Sequence, residues 1–380
     1  MKRICVLILT LLLTVGLLPL SVQALETEAK SAVLMDVATG TVLYEQNAHE
    51  KLAPASVTKV MTMLLIMEAI DSGALGWQDM VTASETAAAK GGSQIFLKVG
   101  ETMSVADMVK SIAVSSANDC ACAMAEHLAG SESAFVEKMN QRAAELGMKN
   151  TRFVNCTGLD DDPEAANHKT SAYDIAIMSR ELLQNHPDIK NYTTIWMDTV
   201  RDGQFGLSNT NKMVRFYPGA TGLKTGFTSA AGYCLSASAQ REGMELVAVV
   251  MGCETSAKRF SACKQLLDHG FANYALVNPE LSETQVVPVQ LGTEKTVNAV
   301  LSQQTPILID KAQRNSITTE IELLPEVAAP VSKGQALGTL TVKSGEQILV
   351  RLPLVAEKAV TKVTWGQLFI KTLKTLLGGA

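Results

Sequence analysis

The order of apolar and polar residues divides this 380-residue chain into four stretches of different character. Lys2 and Arg3 precede an apolar run from Ile4 to Leu20, and Val22-Gln23-Ala24 places small residues where a signal peptidase cuts. This predicts an export signal over residues 1–24; Gly16 and Pro19 weaken the alternative, a continuous spanning anchor. Residues 25–283 hold helical segments rich in Ala and Met, among them the run Val60 to Met67 and the stretch Cys120 to Leu128, mixed with β runs. Two β runs, Tyr233 to Ala237 and Leu246 to Met251, flank Gln240-Arg241-Glu242-Gly243 and read as a hairpin. The prediction is an α+β unit with helices packed on an antiparallel sheet.

Beyond it, residues 284–358 change to short β segments punctuated by Gly and Pro. They are Val286 to Val289, Ile317 to Leu323, Leu337 to Val342 and Ile348 to Leu352, with a turn at Lys343-Ser344-Gly345-Glu346. A small all-β domain is expected. In residues 359–380, Trp365, Leu368, Phe369, Leu373, Leu376 and Leu377 recur at helical spacing, between Lys358, Lys362, Lys371 and Lys374. That apolar face can pack on the β domain. The lack of acids from Ala359 onward, with Trp and Phe on the apolar side, favours instead an amphipathic helix lying in a membrane interface. It is too short and too charged to span.

Charge narrows the partners. The chain carries a net −5, and without the two positive charges of its first 24 residues it stands at −7, which argues against nucleic acid. Six cysteines remain after residue 24: Cys120, Cys122, Cys156, Cys234, Cys253 and Cys263. A chain of this length buries a core without disulfides, so most of the six read as small core residues. No Cys pair is joined by a spaced His pair, and neither a metal nor an organic cofactor is implied.

Three short motifs carry the chemistry: Ser56-Val57-Thr58-Lys59, Ser116-Ala117-Asn118 and Lys224-Thr225-Gly226. A Ser three residues before a Lys also occurs at Ser261-Ala262-Cys263-Lys264, but nothing follows it. Ser56 comes after Pro54-Ala55 and opens the apolar Val60 run, so it should lie at the exposed start of a buried helix, with Lys59 one turn on and facing it. A serine hydroxyl needs a base to become a nucleophile. Lys59 can serve if burial and a second cation, for which Lys224 is the candidate, strip its proton. The helix N-terminus adds positive potential where an oxyanion would form.

The triple motif resembles that of the penicillin-recognising serine enzymes, and its surroundings are similar to the low-molecular-weight penicillin-binding proteins, the serine-type D-alanyl-D-alanine carboxypeptidases. Further matching stretches are Ala32 to Asp36, Gly40 to Tyr44, Gly91-Gly92-Ser93, Val99-Gly100, Asn155-Cys156-Thr157-Gly158-Leu159, His168 and Gly222-Leu223. The resemblance implies a β-lactamase/transpeptidase-like catalytic domain over 25–283, followed by a β-rich stalk and a membrane-associating helix. It assigns Ser116 to relay a proton to the leaving amine and Asn118 to hold a peptide carbonyl; the alternative is that Ser116, Asn118 or Asp119 caps the following helix. Lys224, Thr225 and Gly226 would line a strand edge that binds an extended peptide, Thr225 offering its hydroxyl to the terminal carboxylate. The N–H groups of Ser56 and Phe227 would form the oxyanion hole. Arg259 matches an arginine that helps with the carboxylate, whereas Asn209-Thr210-Asn211 lacks an arginine that some relatives carry. His168 reads as structural.

The implied activity is removal of the terminal D-alanine from peptidoglycan stem pentapeptides at the outer face of the cytoplasmic membrane, with inhibition by β-lactams. The competing readings are a β-lactamase, a sensor, and a β-lactam- or wall-binding module with little turnover. A β-lactamase of this kind needs a Glu four residues before an Asn; here Val136 stands four before Asn140, and Glu137 only three. A sensor is expected to signal through spanning helices, and none follows the signal.

Overall fold

The computed structural model describes residues 25–281 and 283–376; the expected export signal lies outside the described residues. The first unit is organised by one five-stranded antiparallel sheet. Its strands are β1 (Ser31–Asp36), β2 (Val42–Gln46), β3 (Ala220–Thr228), β4 (Gly232–Arg241) and β5 (Met244–Cys253), in the order β2-β1-β5-β4-β3. The β4–β5 hairpin closes on Glu242 and Gly243, both with positive φ, the pairing a two-residue turn needs to follow the strand twist. β5 is apolar without alternation because helices cover both faces of the sheet. Val247, Val249 and Met251 enter the larger core, and Leu246, Ala248 and Val250 the smaller one on the opposite face. Helices thus pack on both faces of the sheet.

The larger core contains α1 (Lys59–Asp71), α2 (Val105–Ser115), α3 (Asn118–Ala129), α4 (Glu132–Glu145) and α5 (Ala172–Asn185). α1 is buried around most of its circumference, from Lys59 through Met67 apart from the partly covered Leu65, as its run of apolar residues without a polar face requires. The smaller core is closed by α6 (Ser256–Asn273) through Cys263, Leu266, Leu267 and Phe271. All six described cysteines are free and buried.

The second unit is a six-stranded sheet of β6 (Gln285–Gln290), β7 (Thr296–Leu301), β8 (Ile317–Leu323), β9 (Val327–Ala328), β10 (Ala336–Ser344) and β11 (Gln347–Ala356), in the order β8-β10-β11-β7-β6-β9. Its own core centres on Val287, Val297, Leu337, Leu340 and Leu354. The terminal helix α7 (Trp365–Leu376) begins six residues later than the sequence suggested. Val360 is buried in the β core and bridges to Val331, and Lys362 bridges to Gly292, so these residues stay with the sheet. On α7, Trp365, Phe369, Ile370 and Leu373 are exposed.

Candidate active site

The site lies where the open edge strand β3 meets the start of α1. Pro54 leads into a 3-10 turn, Ala55–Thr58, that runs directly into α1, so Ser56 sits in the tight turn rather than on the α-helix itself. Ala55 is held at φ 48, a left-handed conformation unfavourable for a residue with a side chain. Three contacts hold it there. Thr58 Oγ1 donates to the Ala55 carbonyl at 2.9 Å. Gly158 lies so close beneath that a Cβ at that position would stand 1.8 Å from the same oxygen. Gly226 of β3 presses from the other side, where an added Cβ would meet Pro54 O at 2.7 Å and Ser56 N at 3.1 Å. The Ala55–Thr58 turn is thus set between the Asn155–Leu159 segment and the Lys-Thr-Gly strand.

Lys59 is fully buried, and its Nζ donates to Ser56 Oγ at 3.0 Å and to the Thr157 carbonyl at 2.8 Å. Its pKa falls to about 7, chiefly through burial; the nearby Cys156 and Asp119 act in the opposite direction. Lys224, equally buried, is pushed well below the ordinary lysine range by burial first and then by the positive charges of Lys59 and Arg259. Burial is what lowers Lys59, and the charge of Lys59 acts on Lys224 rather than the reverse. Lys224 Nζ donates to the carbonyl of its own neighbour, Thr225, at 3.0 Å.

Ser116 has φ 63 at the C-terminus of α2, and Asn118 opens α3. Neither caps that helix: its N-cap is Ala117, without a side-chain bond. The Asp119 carboxylate accepts from Ile95 N, Leu97 N and Cys120 N, which ties the 91–97 loop to the start of α3. Asn118 Nδ2 donates to Gly91 O at 2.7 Å, but its Oδ1 and the Ser116 hydroxyl are buried with no protein partner. Native proteins rarely leave such groups unpaired, so two adjacent cases mark a place prepared for a ligand.

On β3, Thr225 Oγ1 donates to Thr210 Oγ1 at 2.7 Å. Thr210 belongs to the Asn209-Thr210-Asn211 segment, which in the sequence stands out only for lacking an arginine. The segment is held by Asn209 Nδ2 on Ile195 O and Asn211 Nδ2 on Gly222 O, two polar side chains bonded inside the fold. Phe227 is half exposed and its ring lies 4.3 Å from that of Tyr233. Arg259 lies largely buried on α6, its Nη1 donating to Gly226 O at 3.0 Å and Cys234 O at 3.4 Å. It braces the backbone that carries the Lys-Thr-Gly motif rather than standing as a free cation, and its buried Nε has no protein partner.

His168 is buried beneath the Ala55–Thr58 turn. Its Nδ1 accepts from Val154 N at 3.1 Å, so the proton resides on Nε2, which donates to Thr58 Oγ1 at 2.8 Å. Burial, with smaller contributions from Lys169 and Lys59, lowers its pKa to about 4 and keeps it neutral. Sequence reasoning missed the Thr157 carbonyl and the close approach of Gly158, although both belong to the quoted Asn155–Leu159 stretch. A backbone carbonyl has no residue-type signature. The other serine–lysine spacing, Ser261 to Lys264, lies exposed on α6. Among the described residues no group of three or more His, Cys, Asp or Glu side chains is arranged to hold a metal.

A buried lysine bonded to a serine at the mouth of a strand edge, beside unpaired polar groups, defines an enzyme of the serine acyl-transfer class. Family-level comparison agrees: residues 19–255 match the D-alanyl-D-alanine carboxypeptidase family, and residues 281–362 match the penicillin-binding protein 5 C-terminal domain. The chain belongs to the D-alanyl-D-alanine carboxypeptidase family. It is 45% identical to the D-alanyl-D-alanine carboxypeptidase DacF of Bacillus subtilis over 92% of this chain and 90% of that protein. Penicillin-binding protein 5 of Haemophilus influenzae superposes with a TM-score of 0.77 at 31% identity, covering 90% of this chain and all of that one. Penicillin-binding protein D2 of Listeria monocytogenes in its ampicillin-bound form gives a TM-score of 0.57 at 33% identity, over 65% of this chain and 99% of that one.

Proposed function

We propose that this protein removes the terminal D-alanine from peptidoglycan stem pentapeptides through an acyl-enzyme on Ser56. The observation that carries the reading is the 3.0 Å bond from buried Lys59 Nζ to Ser56 Oγ, with a lysine pKa brought to about 7. Neutral Lys59 takes the Ser56 proton as Oγ attacks the carbonyl of the penultimate D-alanine. The N–H groups of Ser56 and Phe227 receive the oxyanion. Ser116 passes a proton to the leaving amine, and Asn118 Oδ1 and Nδ2 hold the peptide backbone. Lys224 and Thr225 meet the terminal carboxylate, Gly226 permits close approach, and Arg259 steadies this edge from behind. Water then releases the shortened peptide.

β-Lactams, which mimic the D-Ala-D-Ala unit, acylate the same serine. Glu137, the nearest carboxylate to a β-lactamase-like spacing, is exposed on α4, which supports slow rather than efficient β-lactam release. Export by residues 1–24 places the enzyme outside the cytoplasmic membrane. The exposed apolar residues of α7 hold it on the outer face of the cytoplasmic membrane, with catalytic, stalk and anchor functions in residues 25–283, 284–358 and 359–380. The decisive experiment is release of free D-alanine from a synthetic peptide ending in D-Ala-D-Ala. Penicillin binding without such release would convert the reading to that of a binding module.

A further inference from the structure

The catalytic lysine has a thiol pair behind it. Thr157, whose carbonyl accepts from Lys59, follows Cys156 in an irregular segment, and the Cys156 carbonyl accepts from Thr62 Oγ1 of α1 at 2.7 Å. The Cys156 thiol and its own backbone N both donate to Glu132 Oε1 at 3.2 Å. Cys122, on α3 between the Ser116 motif and the rest of the core, donates its thiol to the other oxygen, Glu132 Oε2, at 3.8 Å. The two thiols thus sit on the two oxygens of one carboxylate. Lys90 closes the cluster with a 2.6 Å ion pair to Glu132 Oε2, and both partners are partly exposed, so the dithiol lies one ion pair below the surface.

We infer that Cys122 and Cys156 form an oxidisable dithiol whose closure to a disulfide withdraws the Thr157 carbonyl from Lys59 and slows acylation of Ser56. The modification rests on the role of Lys59 proposed above. Its oxidant is a low-molecular-weight disulfide admitted when the Lys90–Glu132 pair opens. One cysteine thiolate attacks the disulfide and releases one thiol; the second displaces the other, forming the Cys122–Cys156 bond. Two thiol protons leave the protein, and one sulfur–sulfur bond is broken for each one made. Burial, then the neighbouring Cys122 and the Glu132 charge, push the Cys156 thiol well above the usual range, so closure accelerates as pH rises.

The mechanical consequence follows from bond length. Disulfide sulfurs stand about 2 Å apart, inside non-bonded contact, so one side must move. Cys122 is fixed in a buried helix of the larger core, whereas Cys156 belongs to a segment without regular structure. The displacement therefore falls on residues 155–158. A shift of about 1 Å at a group that positions the base costs up to roughly 100-fold in rate.

The test treats the whole protein with hydroxyethyl disulfide across a pH series, maps disulfides by mass spectrometry, and measures the rate of penicillin acylation before and after reduction with dithiothreitol. The expected result is a Cys122–Cys156 bond, a loss of acylation of about tenfold or more, and recovery on reduction. Cys122→Ser should acylate at the parental rate and resist the oxidant, with Cys156→Ser as the second resistant variant should the first not fold. Cys263→Ala, altered on the opposite face of the sheet, should remain sensitive. A bond mapped elsewhere, or a Cys122–Cys156 bond with acylation unchanged, would overturn the inference. The mapped bond is read without any turnover, so absence of D-alanine release by the reduced protein counts against the proposed activity alone.

Discussion

The catalytic cleft and the terminal helix break the ordinary rule of burial in opposite directions. In the cleft two lysines are hidden, Lys59 at 0% and Lys224 at 1% exposure. On α7 the large apolar side chains face outward, Trp365 at 88% and Phe369 at 69%. Each arrangement is costly for a folded chain in water, and each becomes favourable through something else. Burial makes an amine a base near neutral pH. Exposure makes a helix face available to an apolar surface. The β domain between them is conventional, with its own core of Val and Leu side chains.

The comparison breaks first at the nucleophile. Ser56→Ala should abolish labelling by a fluorescent penicillin while the circular dichroism spectrum stays parental, and Ser261→Ala on exposed α6 should label normally. Labelling that persists in Ser56→Ala, mapped to another residue, would remove the cleft from the argument. Next is the base. If burial strips Lys59 of its proton, acylation should rise through about pH 7, the value to which its pKa is lowered, as the neutral amine accumulates. Lys59→Arg, whose guanidinium stays protonated, should acylate roughly 100- to 10,000-fold more slowly at every pH. A parental rate in that variant would reduce Lys59 to electrostatic support.

A smaller effect tests the hidden polar groups that hold the cleft. His168 is neutral in the fold with a pKa near 4, against 6.5 for a free imidazole. Below pH 6.5 the unfolded chain therefore binds a proton that the folded chain refuses until about pH 4. Stability is present above that window and lost through it, by about 3 kcal/mol at most. Chemical denaturation at pH 7 and pH 4.5 should show this loss, and His168→Gln should flatten the acid slope while destabilising the protein at pH 7. An unchanged slope in the variant would mean that other groups carry the acid sensitivity.

How much of this was legible in the sequence differs between the two regions for a physical reason. Ser56, Lys59, Ser116, Asn118, Lys224 and Thr225 announce themselves because their chemistry lies in side chains at short spacings. The strand runs and the hairpin over Gln240 to Gly243 were equally legible, since period and turn residues are local, although the structure narrows the turn itself to Glu242-Gly243. What orients the base was not: the Thr157 carbonyl comes from a segment 98 residues away, and Gly158 matters only because Ala55 lies above it. Which helices cover which face of the sheet was hidden for a related reason, because a fully apolar strand such as β5 reports burial without saying what covers each face. The start of α7 shows the same limit, as Val360 carries a pattern compatible with either a helix or the strand bridge it makes.

The smallest catalytic effect belongs to the exposed side of the comparison. Deleting residues 364–380 removes α7 and leaves the Val360 bridge to Val331 and the β core intact. Release of D-alanine from a small soluble peptide should be unchanged, because the cleft is built from residues between Pro54 and Arg259. Flotation with anionic phospholipid vesicles should be lost. Single changes sharpen this: burying one large apolar side chain contributes about 1.5–3 kcal/mol, so Phe369→Ser should weaken vesicle partitioning by tenfold or more without touching turnover. Added salt should weaken binding further if the basic residues of this stretch meet the lipid charge. Vesicle binding that survives the deletion, or a deleted protein whose β domain no longer folds, would assign the exposed face of α7 to the protein itself rather than to the membrane.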